Sequence, residues 1–97
     1  MPTYINLINY TEQGIRNIKD SPKRLDAAKK LLKDLGGEFK QFYLTMGSHD
    51  IVVVAEAPSD DVMAKFVLAL SSAGNVRTTT LKAFPEPEYR KIIQGLP

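Results

Sequence analysis

Residues 50–57 read Asp-Ile-Val-Val-Val-Ala-Glu-Ala, so an extended strand there is apolar on both of its faces. Ile51, Val53, Ala55 and Ala57 point one way, Val52 and Val54 the other. A sheet built around such a strand needs cover on both sides. Residues 4–10 behave alike, with Ile5 and Leu7 on one face and Tyr4, Ile8 and Tyr10 on the other. The run Thr11-Glu12-Gln13-Gly14 breaks this alternation, and residues 15–20 connect to a helix. Ser21-Pro22 fits an N-cap followed by proline, whose missing N–H does no harm in a first helical turn. Leu25, Ala28, Leu31, Leu32 and Leu35 then recur at helical spacing as far as Gly36-Gly37. Residues 38–45 predict a second strand and Gly47-Ser48-His49 a hairpin turn into the third at Asp50.

Pro58 ends the third strand. Ser59 is placed to cap the next helix, with Asp60 and Asp61 at the positive end of its dipole. Residues 62–73 carry Lys65 as their only charge, which predicts a helix packed around much of its circumference. Gly74 closes it, and the Thr- and Val-rich residues 75–84 predict a fourth strand. Pro85 and Pro87 mark a stop, after which residues 88–94 predict a short helix presenting Tyr89, Ile92 and Ile93.

The order strand, helix, strand, strand, helix, strand predicts an α+β fold: a ferredoxin-like βαββαβ unit over residues 1–84, with residues 85–97 as a C-terminal extension. Right-handed crossovers put both helices on one face of a four-stranded antiparallel sheet. Tyr4, Ile8, Tyr10, aromatic residues of the second strand and one face of the third are expected on the uncovered side. A patch of that size predicts a homodimer through the sheet faces, or a multiple of dimers.

Composition narrows the partners. The 97 residues suit one domain, with 43% hydrophobic and 25% charged residues and a formal charge of +2, too small to imply a polyanion. Lys19, Lys23, Arg24, Lys29, Lys30 and Lys33 interleave with the leucine stripe and with Asp20, Asp26 and Asp34, which reads as a solvated helix face and not a nucleic-acid site. There is no cysteine and a single histidine, so no metal centre is predicted, and no cofactor. Neither a signal segment nor a bilayer-length apolar run is present. A cytoplasmic protein without membrane partners is expected.

Several ordered stretches resemble the GYD domain family. They are Met1-Pro2-Thr3-Tyr4-Ile5, Thr11-Glu12-Gln13-Gly14-Ile15-Arg16, Ser21-Pro22-Lys23-Arg24, Phe42-Tyr43-Leu44-Thr45-Met46-Gly47, Glu56-Ala57-Pro58 and Gly74-Asn75-Val76-Arg77-Thr78-Thr79-Thr80-Leu81. The resemblance, to small bacterial and archaeal proteins of uncharacterised function, implies a dimeric α/β barrel assembly and specifies no particular activity. The family's Gly, Tyr, Asp signature falls at Gly47, His49 and Asp50, with histidine where the family has tyrosine.

Among candidate site residues, His49 and Asp50 pair an imidazole with a carboxylate, the elements of acid–base work. Neighbours in a strand point to opposite faces, however, and Asp50 also fits a hairpin residue accepting backbone hydrogen bonds. Arg77 beside Thr78, Thr79 and Thr80 fits a carboxylate or phosphate, or equally an ion pair with Glu56 or an interface contact. Tyr4, Asn6, Tyr43, Glu56, Arg77 and Thr79 are polar groups available to a cavity. The expected ligand set is Arg77, His49, Asp50, Tyr43, Glu56 and Thr79, around a small anionic or aromatic molecule held between sheet and helices or between subunits. Two alternatives stand beside it: a cofactor-free isomerase or monooxygenase-like enzyme on a small organic acid or lactone, and a regulatory module docking through Tyr89, Ile92 and Ile93.

Overall fold

Hydrophobic alternation becomes strand and helical periodicity becomes helix almost where the sequence places them. A computed structural model describes residues 1–97. The elements are β1 (Thr3–Tyr10), α1 (Glu12–Arg16), a 3-10 turn (Ile18–Asp20), α2 (Ser21–Asp34), β2 (Glu38–Leu44), β3 (Ile51–Glu56), α3 (Asp60–Ser72), β4 (Val76–Ala83) and α4 (Glu86–Gln94). The sheet runs β2-β3-β1-β4 with every pair antiparallel, which is the ferredoxin-like arrangement. Ser59 Oγ accepts from the Val62 N–H and caps α3 as expected. Gly36 ends α2 at a φ of 92°, a conformation open to glycine. Ser21, by contrast, is the first residue of α2 and not its cap, because its hydroxyl lies 2.9 Å from the Tyr10 hydroxyl.

Pairing register corrects which residues face which way. Tyr4, Asn6, Ile8 and Tyr10 of β1 lie under the helices together with Ile51, Val53, Ala55 and Ala57. Tyr4 and Ile8 are buried there, and Phe39 of β2 meets Phe66 of α3 edge to face at 6.0 Å. The side without helices carries the other set: Ile5 and Leu7 beside Val52 and Val54, flanked by Leu81 on β4 and Tyr43 on β2. An apolar uncovered face exists, as expected, but with the opposite membership. Both alternating sets are apolar, so the sequence pattern does not distinguish them.

Two further surfaces are apolar in the single chain. Within α3, Met63 and Phe66 are buried while Leu68 is 70% exposed, so α3 is less enclosed than its composition predicts. All of α4 is exposed, including Tyr89, Ile92 and Ile93.

Candidate functional site

Between the helix face of the sheet and the α2–α3 layer lies a cavity of about 60 Å³, room for roughly four water-sized groups. Its walls are apolar, with Ile8, Ile51, Val53, Phe66 and Leu70 among them. Asn6 is the polar group at its depth, 1% exposed. The Asn6 amide hydrogens go to Thr80 Oγ1 at 2.9 Å, directly across on β4, and to Met63 Sδ at 3.7 Å. A thioether sulfur only accepts, which sets the orientation of the amide. Asn6 Oδ1 is consequently a buried acceptor with no partner in the protein. Such an atom costs about 1–3 kcal/mol.

The rim is polar. Tyr10 and Ser21 share their hydroxyl contact there, and Arg24 is fixed by donating from Nη1 to Asn17 O at 2.9 Å and from Nη2 to Gly14 O at 3.3 Å. No carboxylate and no imidazole lines this cavity. Its chemistry is that of holding an apolar body while accepting a hydrogen bond from its head.

A second cluster lies at the N-terminus of α3. The Tyr4 hydroxyl donates to Asp60 Oδ1 at 2.5 Å, and Lys82, across from Tyr4 on β4, reaches the same carboxylate at 3.3 Å. Burial of Tyr4, reinforced by the hydrogen bond and the charge of Asp60, pushes the phenol up to about 12. The bonds from Tyr4 and Lys82 hold the Asp60 carboxyl below its ordinary value. A phenol held protonated this firmly is a clasp between β1, β4 and α3.

The expected ligand set lies elsewhere. Tyr43, Val52, Leu7 and Thr79 form one rung across the uncovered sheet face, which puts Tyr43 and Thr79 on opposite edge strands. Arg77 is exposed at the end of that face opposite Asn9, and His49 Nδ1 lies 2.8 Å from Asn9 Oδ1. Arg77, Asn9 and His49 thus gather at one end. Glu56 pairs with Thr3 at the other end, too far along β1 to meet Arg77, and its nearest cation is Lys40 at 4.0 Å. The carboxylate of Asp50 accepts from the Tyr10 N–H at 2.9 Å, so it fastens the hairpin to β1; the turn itself is held by Thr45, whose Oγ1 donates to His49 O at 2.7 Å.

Of the cavity residues, Asn6 belongs to the wider polar set legible in the sequence, as a polar residue in the middle of an apolar strand face. Tyr10, Ser21 and Arg24 come together only through the packing of α2 on β1. The Thr11–Gly14 run also finds its purpose in tertiary structure. Thr11 N–H donates to Asn75 O at 3.0 Å, Thr11 Oγ1 to Gly74 O at 2.6 Å, and Gln13 Nε2 to Ala73 O at 3.1 Å.

Comparison with known proteins gives three kinds of likeness. The GYD domain matches residues 4–93. The Glutamine synthetase and cystathionine beta-lyase binding protein of Thermus thermophilus is 35% identical over 86 residues, covering 88% of this chain and 90% of that relative. A crystal structure from the same organism superposes with a TM-score of 0.56 at 23% identity, over 87% of this chain and 94% of that one. The feast or famine regulatory protein of M. tuberculosis, solved with L-methionine, superposes with a TM-score of 0.66 at 17% identity, over 87% of this chain and 50% of that one. This chain spans about half the length of that regulator, and the likeness is one of fold.

Proposed function

This chain belongs to the GYD domain family, and from that premise we propose that it is a homodimeric binding protein that takes a small molecule in the cavity beneath its helices. The observation that carries the binding reading is Asn6, a buried amide with its hydrogens spent and its carbonyl oxygen unpartnered on the wall of an apolar cavity. The cavity volume favours a short aliphatic body over a ring, with a hydroxyl or amide N–H directed at Asn6 Oδ1. The lining holds no carboxylate or imidazole, which supports binding over acid–base catalysis by those groups. In the dimer the uncovered sheet faces meet, and Arg77 with His49, at the polar end, offers an anion contact between subunits. Thr79, Tyr43 and Glu56 line the same covered face, while Asp50 anchors its hairpin.

A panel of short alcohols and amides tests this reading by thermal shift and crystallography. Stabilisation by a two- to four-carbon member, lost in Asn6→Leu, supports it; equal stabilisation of Asn6→Leu, or density only outside the cavity, overturns it.

A second reading has its own support. The exposed Tyr89, Ile92 and Ile93 stripe of α4 suits a protein partner, and the relative from Thermus thermophilus is named for binding two enzymes. Under it, α4 is the docking element of a regulatory module.

A further inference from the structure

A further concave surface lies apart from the cavity and from α4. It is a groove of about 550 Å³ between the C-terminal half of α2 and the outer edge of β2. One wall is formed by residues 37–42. The other carries Lys29 and Lys33, one helical turn apart. β2 is hydrogen-bonded to β3 along one edge, and its other edge has no neighbouring strand. That edge presents a row of backbone donors and acceptors to the groove.

The groove is basic on balance: Lys29, Lys33 and Lys40 line it with a single carboxylate, Glu38. Lys29 and Lys33 form no ion pair, although like charges at this spacing weaken a helix. Lys40 adds a third ammonium, shared between Glu38 at 3.6 Å and Glu56 at 4.0 Å. Phe39 and Phe42 give the groove an apolar floor.

We infer that this groove accepts an extended acidic segment of a partner protein, which adds to β2 as a fifth strand and places alternate carboxylates against Lys29 and Lys33. Lysines and a bulge on an edge strand ordinarily discourage strand pairing, and β2 has both, with its register shift at Lys40. Here the lysines stand on the facing helix as well as on the edge. They repel basic strands, make burial against a neutral strand cost the desolvation of an unpaired ammonium, and favour an acidic one, which is how an edge can be selective as well as guarded. Backbone pairing supplies the affinity and alternate side chains the specificity. The inference stands independently of the cavity. Lys29 and Lys33 are exposed, as a solvated helix face requires, and the groove they line faces a strand edge.

The probe is a capped octapeptide alternating Glu and Val, titrated into the full chain and followed by amide chemical shifts. Strand addition predicts perturbations concentrated on residues 38–42 and the second half of α2. Lys29→Gln with Lys33→Gln should weaken binding about fivefold or more, the scale of two exposed charge pairs, with the circular dichroism of the fold unchanged. Methylating alternate backbone nitrogens of the peptide should abolish binding. Equal binding of the methylated peptide, perturbations centred elsewhere, or no binding at millimolar peptide would each overturn the inference. Inorganic tripolyphosphate binding at the same residues as tightly as the peptide would also overturn it, reducing the groove to a simple anion site.

Discussion

Asn6 is a buried amide whose Oδ1 has no partner in the chain, and the binding proposed above turns on that atom. Asn6→Asp puts a carboxylate where one oxygen already lacks a donor, and is expected to cost about 3 kcal/mol or more in urea unfolding. Asn6→Leu removes the orphan while freeing the Thr80 hydroxyl at the sheet edge, so it should stay within about 1 kcal/mol of the native protein. A large loss in Asn6→Leu would mean that the bond to Thr80 outweighs the unpartnered oxygen. Tyr4 gives a pH signature. Its phenol titrates at 10.0 when unperturbed and at about 12 in the fold, so its contribution is complete below pH 10 and is lost as pH rises toward 12. Asp60 acts in the opposite sense: its stabilisation is present above the ordinary carboxylate value and is lost as pH falls through its lowered one. Denaturation followed from pH 9 to 12 should show the alkaline loss in the native protein and a smaller one in Tyr4→Phe. Asp50→Ala should cost about 1–2 kcal/mol through the stranded Tyr10 N–H, and Arg77→Ala, exposed and without an ion pair in the chain, should leave the melting temperature nearly unchanged.

At the scale of elements, the junctions between β1 and α2 and between α3 and β4 are locked together. A Cβ on Gly14 would stand 2.1 Å from Asn75 O, a backbone atom held by its bond from Thr11. Gly14→Ala should therefore force the two junctions apart and destabilise by about 1–3 kcal/mol, as overpacking does. The opposite is expected of α4. Every residue beyond Ala83 is exposed, so truncation after Phe84 should move the unfolding free energy of the single chain by no more than about 0.5 kcal/mol. A substantial loss, appearing only at concentrations where the native protein associates, would show that α4 packs on another copy.

The whole molecule has more surface than a compact chain of its mass. Its accessible area is 6637 Å², against about 5,500 Å² for a monomer of this size. The radius of gyration is 14.6 Å, against about 12.5 Å for a compact domain of this length. Some of that excess is the protruding α4. The total difference is on the order of the roughly 800 Å² each partner contributes to an ordinary interface, and the uncovered sheet face with Ile5, Leu7, Val52 and Val54 is apolar surface available to one. Sedimentation is expected to find a dimer or a multiple of one, and Leu7→Asp, on the uncovered face, to yield a folded monomer. Ile8→Asp is the contrasting variant. Its side chain lies in the core beneath the helices, so that carboxylate should unfold the chain whatever its assembly. A native protein that sediments as a monomer at micromolar concentration would defeat the dimer.

Spacing along the chain was enough to read the ferredoxin-like order of elements, the cap at Ser59, the turn at Gly36 and the apolar character of both sides of β1 and β3. Each of these is local information. Which alternating set lies inward was settled in three dimensions, because Ile5 and Leu7 are as apolar as Tyr4 and Ile8 and only pairing with Val76–Ala83 and Ile51–Glu56 separates them. Folding also parted residues that composition invites one to combine: Arg77 and Glu56, both polar and both strand residues, stand at opposite ends of the sheet. Conversely it joined Asn6 and Tyr10 of β1 with Ser21 and Arg24 of α2 around one cavity, and Lys29 and Lys33 of α2 with Lys40 of β2 around one groove, contacts between elements that carry no periodic signal. Periodicity fixes a residue's face relative to its neighbours on the same element. Its neighbours on other elements are set by register and by the packing of helices on the sheet, which depend on the whole chain at once.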